Sequence, residues 1–521
     1  MSNPGFVATV RSLPRTFWVA NTMEIFERMA WYGFYALSSL YITGKVQDGC
    51  LGFTSEQRGL LQGVVTFFLY LFPVVTGALG DRFGYKKMFF LAYAILAPGY
   101  YLLGQFTSFG GFFAVFMLVA VGAAVFKPVV VGTVARTTDE RSGGLGFGIF
   151  YMMVNIGGFL GPVFAGMVRS DPRLGWEWVF ILSAIWISVN FVWLLLFYRE
   201  PTTEAASATP RSLRKVMSDV VDVLGNGRFF LTVAVVLVLL VIGSRFLPWA
   251  VTLVFSAAWV AWNVAWDLVL RGMRAEGRGG VLQRMRLGDW RFGVFLLILA
   301  GFWTMFNQIF ITMPEYIRDF TDTTPILAWL RDVFAAVGLD GMSEKMAVLI
   351  RERWQINPEY LINLNAGAIV IFQLLVSWGM ARFHAFTTMV LGVIVAAVGI
   401  ATAALGGGGV GVTAWIAVAA ILVFAFGEMA ASPKSQEYIG RIAPQDKVAM
   451  YMGYYFVAMA LGNLFGGLLS GEAYGTLARD MKRPDLMWLL FAGLGLVTAV
   501  ALMAYNRWVL PPRGGEAKAQ A

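Results

Sequence analysis

Three ionisable side chains stand inside the first long apolar segment of the chain, Glu24-Ile25-Phe26-Glu27-Arg28-Met29-Ala30-Trp31-Tyr32-Gly33. A charged group at the centre of a bilayer costs about 2.5 to 3.5 kcal/mol on insertion scales, so uncompensated charges are disfavoured there. Spacings of three and four residues place all three groups on one helix face, where Arg28 can pair with either carboxylate. The opposite face would meet lipid. This stretch therefore predicts a water-lined pathway through a membrane.

The composition is that of a polytopic membrane protein. The 521 residues are 58% hydrophobic and only 14% charged, against about 25% charged residues in soluble domains. The net charge of +9 does not indicate nucleic-acid binding, because the Lys and Arg residues are dispersed through loops rather than clustered on one helix.

Residue types and motifs also exclude several chemistries. With Cys50 as the single cysteine and His384 as the single histidine, we expect no internal disulfide, no metal site and no cofactor. The sequence contains no nucleophile–base–acid set, no glycine-rich phosphate loop and no paired intramembrane aspartates. An enzyme and an ATP-driven pump are therefore both disfavoured.

Apolar stretches long enough to cross the bilayer, about 20 residues each, predict fourteen transmembrane helices. They lie near 16–42, 57–79, 87–106, 109–135, 144–168, 177–198, 229–247, 248–270, 292–312, 360–381, 385–405, 411–433, 447–470 and 485–508. The polar start runs straight into the helix that carries Glu24, unlike a cleavable signal, so the first helix should stay in the mature protein.

The stretch 229–270 fits either one overlong helix or a hairpin broken near Gly243 and Pro248. Arginine placement favours the hairpin, because two crossings bring two basic groups to the same membrane side. The first group is Arg271, Arg274, Arg278, Arg284, Arg286 and Arg291, and the second is Arg82, Lys86, Lys87, Arg136, Arg141, Arg211, Arg214 and Lys215. We expect the protein to span the plasma membrane, which is the inner membrane of a bacterium. Both termini should lie on its cytoplasmic side.

This reading gives a domain organisation. It comprises a six-helix bundle at 1–200, linkers with the transmembrane hairpin 229–270 at 201–290, a six-helix bundle at 291–510 with an extracytoplasmic segment 313–359, and a flexible tail at 511–521. Within 313–359 the spacing of apolar residues predicts short amphipathic helices. This segment is expected to cap the outer end of the second bundle or, alternatively, to act as a substrate-capturing lid.

An internal repeat relates the two bundles. Shifting the chain by 305 residues aligns Gly148 with Gly453, Gly157 with Gly462, Gly161 with Gly466, Gly166 with Gly471 and Pro128 with Pro433. Such duplicated halves place a substrate site at their interface near mid-membrane. The four-residue glycine spacings predict close helix packing.

The same offset puts Lys127 opposite Ser432, with Glu428 one helical turn away. One half thus supplies a buried cation and the other a buried anion at similar depth. A substrate that carries both charges, such as a zwitterion, would complement the two groups. Two alternatives are a direct Lys127–Glu428 bridge that closes a gate, and separate partners within each half.

The basic turn Gly77-Ala78-Leu79-Gly80-Asp81-Arg82-Phe83-Gly84-Tyr85-Lys86-Lys87 resembles the signature loop of the major facilitator superfamily. The resemblance implies that Asp81 and Arg82 form a conformational latch. The second-half counterpart, 379–384, lacks the aspartate, so we expect the latch in the first half alone.

Several further motifs resemble the proton-dependent oligopeptide transporter family within that superfamily. They are Glu24-x-x-Glu27-Arg28-x-x-x-Tyr32-Gly33, Phe126-Lys127-Pro128, Phe150-Tyr151-x-x-x-Asn155-x-Gly157, Gly427-Glu428 with Ser432-Pro433, and Ala460-Leu461-Gly462-Asn463. The implied fold is all-α: a major facilitator fold of two six-helix bundles plus the inserted hairpin, with fourteen transmembrane helices.

The resemblance implies roles for individual residues. Proton coupling falls to Glu24, Glu27, Arg28 and Lys127. Substrate binding falls to Arg28, Tyr32, Tyr70, Lys127, Asn155, Trp303, Asn307, Gln308, Asn365, Glu428 and Ser432. Of these, Arg28, Lys127 and Asn155 would hold a peptide carboxylate, whereas Glu428 and Asn365 would hold the amino terminus.

The chain departs from the family pattern in its second half. Asn307 stands where an acid is common, Tyr455 replaces a tryptophan, and Ala366 replaces a proline after Asn365. The predicted function is proton-coupled import of di- and tripeptides or peptide-like zwitterions by alternating access, by a monomer. The alternatives are a transporter of another organic anion or a drug exporter with the same fold, and a nutrient-sensing receptor.

Overall fold

The computed structural model describes residues 10–138, 142–201, 227–239, 243, 247–272, 284–285, 290–380, 383–442 and 448–509. The chain divides into two compact units. One contains Met1–Thr209 with Ile298–Trp508, and the other contains Pro210–Leu297 with Val509–Ala521.

The first half of the larger unit is a bundle of helices. Its members are α1 (Arg15–Thr43), α2 (Ser55–Leu71), α3 (Pro73–Phe83), α4 (Tyr85–Leu103), α5 (Phe109–Arg136), α6 (Gly143–Ser170) and α7 (Gly175–Val192), which continues as a π-helical turn over Trp193–Phe197. The predicted span 57–79 is divided into α2 and α3 at Pro73, because proline has no N–H to donate to the preceding turn.

The smaller unit contains the predicted inserted hairpin as α8 (Gly227–Val238) and α9 (Trp249–Gly272). Within it the Arg228 guanidinium lies 3.2 Å from an Asp267 carboxylate oxygen and donates to the Asn263 carbonyl at 2.8 Å. Most of the predicted linkers, at 202–226, 273–283 and 286–289, and the predicted tail 511–521 lie outside the described residues.

The second half begins with α10 and ends with α20. Its helices are α10 (Trp290–Phe306), α11 (Gln308–Ile311), α12 (Met313–Phe320), α13 (Thr324–Ala336), α14 (Asp340–Arg351), α15 (Pro358–Ile362), α16 (Leu364–Met380), α17 (Ala385–Thr402), α18 (Ala414–Ile442), α19 (Val448–Ala473) and α20 (Pro484–Ala504). Two short strands, β1 (Thr321–Asp322) and β2 (Val412–Thr413), pair in parallel, with Thr321 opposite Val412.

Nine of the described helical segments are long and apolar enough to cross a membrane, so the mostly helical membrane fold is confirmed, whereas the count of fourteen stays a prediction. One of the nine runs from Trp290 to Phe320. Residues 313–320, assigned from the sequence to the extracytoplasmic segment, are the last part of this helical segment, and their placement outside the membrane stays a prediction. The amphipathic helices expected farther along are present as α13 and α14.

The predicted glycine pairs make the helix contacts expected of a duplicated unit. A Cβ on Gly157 would come 2.6 Å from the Ile25 carbonyl oxygen, and one on Gly161 would come 2.6 Å from that of Met29, so α6 packs closely on α1. In the second half, a Cβ on Gly462 would come 2.2 Å from the Trp303 Cβ, so α19 packs in the same way on α10. Close packing is the role we expected for these glycines.

The two halves meet where α2 crosses α19, again on glycines. A Cβ on Gly59 would lie 2.3 Å from the Gly467 carbonyl oxygen, and one on Gly467 would lie 2.4 Å from that of Gly59. Any larger side chain would push these helices apart. One end of the larger unit contains helices α12–α15 and the connection between α1 and α2. We call it the capped end.

Candidate functional site

The charged cluster predicted on α1 is formed as its spacing indicates. The Arg28 guanidinium lies 3.3 Å from a Glu24 carboxylate oxygen and donates from Nε to Glu27 Oε2 at 2.6 Å. All three side chains are buried, yet Glu24 Oε2 and Glu27 Oε1 have no hydrogen-bond partner. Each carboxylate therefore keeps one oxygen available for a proton or another donor.

Lys127 lies in the interior of α5, next to Pro128. Its ammonium is 5.1 Å from the centre of the Tyr70 ring and 6.0 Å from that of Phe456, a residue of the second half. It interacts electrostatically with Arg28, Glu24 and Glu27. Among the described residues, no carboxylate forms an ion pair with Lys127, so aromatic faces hold a cation that no anion neutralises directly.

Glu428, in α18, is the carboxylate that the second half brings to the site. It is 9% exposed, and its Oε2 accepts a hydrogen bond from the Asn365 side chain at 2.9 Å. The direct bridge with Lys127, one of the three alternatives from the sequence, is not formed, although both side chains are described. The two groups therefore stand apart as a cation and an anion of opposite halves.

Aromatic side chains lie close to the predicted site residues of both halves. The Arg28 guanidinium lies 5.8 Å from the centre of the Tyr32 ring. The Trp303 ring meets that of Tyr455 edge to face at 5.9 Å, and its indole N–H is buried without a partner. An unpaired buried N–H is costly, so binding of a ligand oxygen or a water that accepts a hydrogen bond from it is favoured at this position.

Other predicted site residues have their polar groups engaged by protein atoms. Asn155 donates to the Tyr151 carbonyl within α6, and Asn307, between α10 and α11, donates to the Trp303 carbonyl. The Gln308 amide donates to the Thr304 and Gly466 carbonyls, and its oxygen accepts from Thr312. Gln308 thus ties α11 to α19 in this state.

Three further predicted residues are placed less fully. The Ser432 carbonyl accepts from the Ser435 hydroxyl at 2.7 Å. Asp81 and Arg82 fall in the last turn of α3, but their side chains lie outside the described part of the chain, so the latch stays a prediction.

A buried ion pair that the sequence did not reveal joins the halves at the capped end. Arg58 Nε of α2 lies 2.5 Å from Glu315 Oε1 of α12, and neither side chain has any exposed surface. Glu315 also accepts from the Ser55 hydroxyl at 2.8 Å. Arg58 donates to the Ser470 hydroxyl and to the Ile311 carbonyl, both at 3.0 Å. This network closes the capped end between α2, α12 and α19.

A second ion pair joins the halves at the same end. Arg169, at the end of α6, donates to both oxygens of Glu359 in α15 at 2.8 Å. The Arg169 side chain is 22% exposed, while that of Glu359 is fully buried. Nearby, the Asn357 amide donates to the Ser170 hydroxyl at 2.7 Å. Two separate ion pairs thus join the two halves at the capped end.

Only one of these four residues carried a usable signal in the sequence. Arg58 falls inside the predicted span 57–79, where an ionised side chain requires a partner. Arg169 and Glu359 each fall one residue outside a predicted span, and Glu315 fell in the segment assigned to the exterior. Their positions resembled ordinary loop charges.

No group of three or more His, Cys, Asp or Glu side chains that could hold a metal ion occurs among the described residues. Within that part of the chain the ionisable groups of the site are the α1 cluster, Lys127 and Glu428. The site can therefore bind and release protons and bind charged ligands.

Comparison with known proteins places this arrangement in a family. The model of the Major Facilitator Superfamily matches residues 22–343, more than half of the chain. The chain belongs to the major facilitator superfamily, as its signature loop predicted.

Several of its relatives are named peptide transporters or peptide permeases. The chain is 24% identical to peptide transporter YePEPT of Yersinia enterocolitica, over 94% of this chain and 93% of that protein. It is 22% identical to dipeptide and tripeptide permease A of Escherichia coli, over 94% and 90%. A mutant of peptide transporter POT in complex with alafosfalin has a similar fold, with a TM-score of 0.67 at 18% identity over 97% of this chain and 96% of that one. These names agree with the family resemblance found in the sequence motifs.

Proposed function

We propose that this protein is a proton-coupled symporter that imports di- and tripeptides, or peptide-like zwitterions, by alternating access. The observation that carries the proposal is the separation of Lys127 and Glu428, which leaves a half-buried cation in one half and a buried carboxylate in the other. Burying either charge alone is unfavourable, so a ligand that pairs with both is favoured over one that pairs with neither. A short peptide has a carboxylate at one end and an ammonium group at the other.

In this proposal the substrate lies between the two halves. Its carboxylate pairs with Lys127 and Arg28, and its amino terminus pairs with Glu428 beside Asn365. Tyr32, Tyr70 and Trp303 contact the side chains of the peptide. The names of the relatives, peptide transporter and dipeptide and tripeptide permease, support this class of substrate.

Proton coupling follows from competition for Arg28. In the absence of substrate, Arg28 pairs with Glu24 and Glu27, and this pairing favours the ionised carboxylates. A substrate carboxylate that draws Arg28 and Lys127 away leaves a buried glutamate without its counter-ion. Burial then favours the protonated form, so substrate and proton are carried together.

The capped end is closed by the Arg58–Glu315 and Arg169–Glu359 pairs. Alternating access exposes the site to one side at a time, and we therefore assign this structure to a state that opens at the opposite end. With the capped end outside and both termini cytoplasmic, in a bacterial inner membrane, this is the inward-facing state of a monomer.

The test is uptake of radiolabelled dialanine into proteoliposomes, with and without an inward proton gradient. We expect accumulation above equilibrium only with the gradient, and dissipation of that accumulation by a protonophore. Equal uptake in both conditions would contradict coupling. No uptake and no competition by any of a panel of peptides would favour another organic anion as the substrate.

A further inference from the structure

A stripe of apolar side chains runs along α13, the first helix of the segment between α12 and α15, with a half-buried residue between two exposed ones. Trp329, Val333 and Val337 recur every four residues and so share one face of the chain as it leaves the helix. Trp329 is 51% exposed and Val337 is 63% exposed. Such a row of large apolar side chains is unfavourable in contact with water.

The stripe continues into α14, which is amphipathic. Leu339 and Met342 are exposed on one side of this helix, whereas Asp340, Glu344 and Arg351 lie on the other side. The two helices pack on each other as a hairpin. The apolar residues at its turn are therefore available to something other than the hairpin itself.

Two contacts fix the base of the hairpin at the end of a membrane-crossing helix. Strand β1, immediately before α13, pairs with β2, immediately before α18. The Trp329 ring meets the Trp415 ring edge to face at 5.6 Å. Trp415 is the second residue of α18, part of a span that crosses the membrane from Ala414 to Ile439. The stripe thus adjoins Trp415, which is itself exposed at the start of α18.

Neighbouring residues at the same end have the same character. Leu405, between α17 and β2, is 75% exposed, and Val410 is 79% exposed. Tryptophan is enriched where the hydrocarbon meets the headgroups, and amphipathic helices with apolar and charged faces bind in the plane of this boundary.

We propose that the α13–α14 hairpin lies on the phospholipid leaflet at the capped end, with Trp329, Val337, Leu339 and Met342 inserted below the headgroups. Asp340, Glu344 and Arg351 then face water. Because α13–α14 joins α12, which carries Glu315, to α15, which carries Glu359, the leaflet holds the connection between the two closing ion pairs. This inference depends on membrane placement of the fold and not on the transported substrate.

The test is a depth measurement with spin labels in phospholipid nanodiscs. The full-length protein, with buried Cys50 replaced by alanine, receives a single labelled cysteine at Val337 or Met342. A label at Glu344, on the polar face of the same hairpin, is the matched control. Collision of each label with oxygen, which concentrates in lipid, is compared with collision with a water-soluble nickel chelate.

We expect labels at Val337 and Met342 to favour oxygen over the chelate, at a depth of about 5 to 10 Å, and the label at Glu344 to favour the chelate. Equal access of the chelate to Val337 and Glu344 would overturn the proposal, as expected for a lid surrounded by water. A label at Val337 shielded from both reagents would also overturn it, because another protein surface would then cover the stripe. If Cys50→Ala does not fold, the same labels are placed in protein that retains Cys50, whose thiol is buried. Protein with Cys50 and no introduced cysteine is then treated with the label as a control, to measure any labelling of Cys50 itself.

Discussion

The capped end and the central site use the same kinds of charged side chain in opposite ways. At the capped end, Arg58 of one half meets Glu315 of the other at 2.5 Å, with both side chains fully buried. At the central site, Lys127 of one half meets aromatic rings, and Glu428 of the other meets the Asn365 amide. Cation and carboxylate are paired across the halves in the first region and held apart in the second.

The difference shows how one duplicated fold separates closure from binding. A direct ion pair between halves satisfies both charges and leaves no place for a ligand. An unpaired cation and an unpaired carboxylate are both costly, and a ligand that carries the complementary charges removes both costs together. The capped end therefore holds the halves together, and the central site selects what passes between them.

The largest effect should come from breaking the closed pair. Arg58→Ala leaves Glu315 buried without a counter-ion, and we expect a loss of about 3 to 5 kcal/mol in the stability of this state. The measurement is the thermal unfolding midpoint in detergent. The double variant Arg58→Met with Glu315→Leu should recover most of the loss, because no buried charge remains. A double variant as unstable as the single one would show that the pair itself does not account for the effect.

The second effect concerns the unpaired cation. Lys127→Ala should reduce gradient-driven uptake of dialanine by about a hundredfold, which corresponds to roughly 2.7 kcal/mol, while exchange across liposomes without a gradient persists. The reason is that Lys127 helps the substrate carboxylate displace Arg28 from the glutamates. Lys127→Arg, which keeps the charge, is the matched control. Normal driven uptake by Lys127→Ala would remove this residue from the coupling scheme.

The third effect concerns the second closing pair. Arg169→Gln leaves the fully buried Glu359 with an amide donor at a partly exposed position that water can reach, so the variant should cost about 2 kcal/mol, less than a buried charge left with no donor. Its unfolding midpoint should lie between those of the unmodified protein and Arg58→Ala. A loss as large as that of Arg58→Ala would mean that exposure does not distinguish the two pairs.

The smallest effect concerns the unpaired carboxylate. Glu428→Gln should weaken dialanine binding by about tenfold, or roughly 1.4 kcal/mol, because the peptide ammonium loses its counter-ion. Preference for dialanine over N-acetyl-dialanine should disappear in the same variant. Glu437→Gln is the control on the same helix, since Glu437 pairs with Lys434 at 2.7 Å. If Glu428→Gln still discriminates between the two peptides, a residue other than Glu428 binds the amino terminus of the peptide.

Local spacing predicted much of the fold and the contacts within the charged cluster of α1. The helix-face geometry of Glu24, Glu27 and Arg28 follows from their separation along one helix, and the structure forms the contacts that it indicates. The repeated glycines likewise predicted where α6 and α19 approach their neighbours. Both features depend on residues within one element or on an exact repeat.

Contacts between distant elements were not accessible in this way. Arg58 and Glu315 are brought together by the meeting of α2 with α12, and no spacing within either helix encodes it. The sequence also ended the predicted span at 312, because the charges after Thr312 interrupt the apolar pattern that defines a span, whereas the helical segment extends to Phe320. In the structure Glu315 is fully buried against Arg58, so the helix continues with its charge satisfied.

The most direct test of the account is competition for binding by peptides that lack one charge. Uptake of radiolabelled dialanine is measured with increasing unlabelled dialanine, N-acetyl-dialanine or dialanine amide. The separated pair Lys127 and Glu428 predicts that both blocked peptides compete about tenfold more weakly than dialanine, since each leaves one of the two charges without a partner. Equal competition by either blocked peptide would contradict recognition of both ends of the substrate.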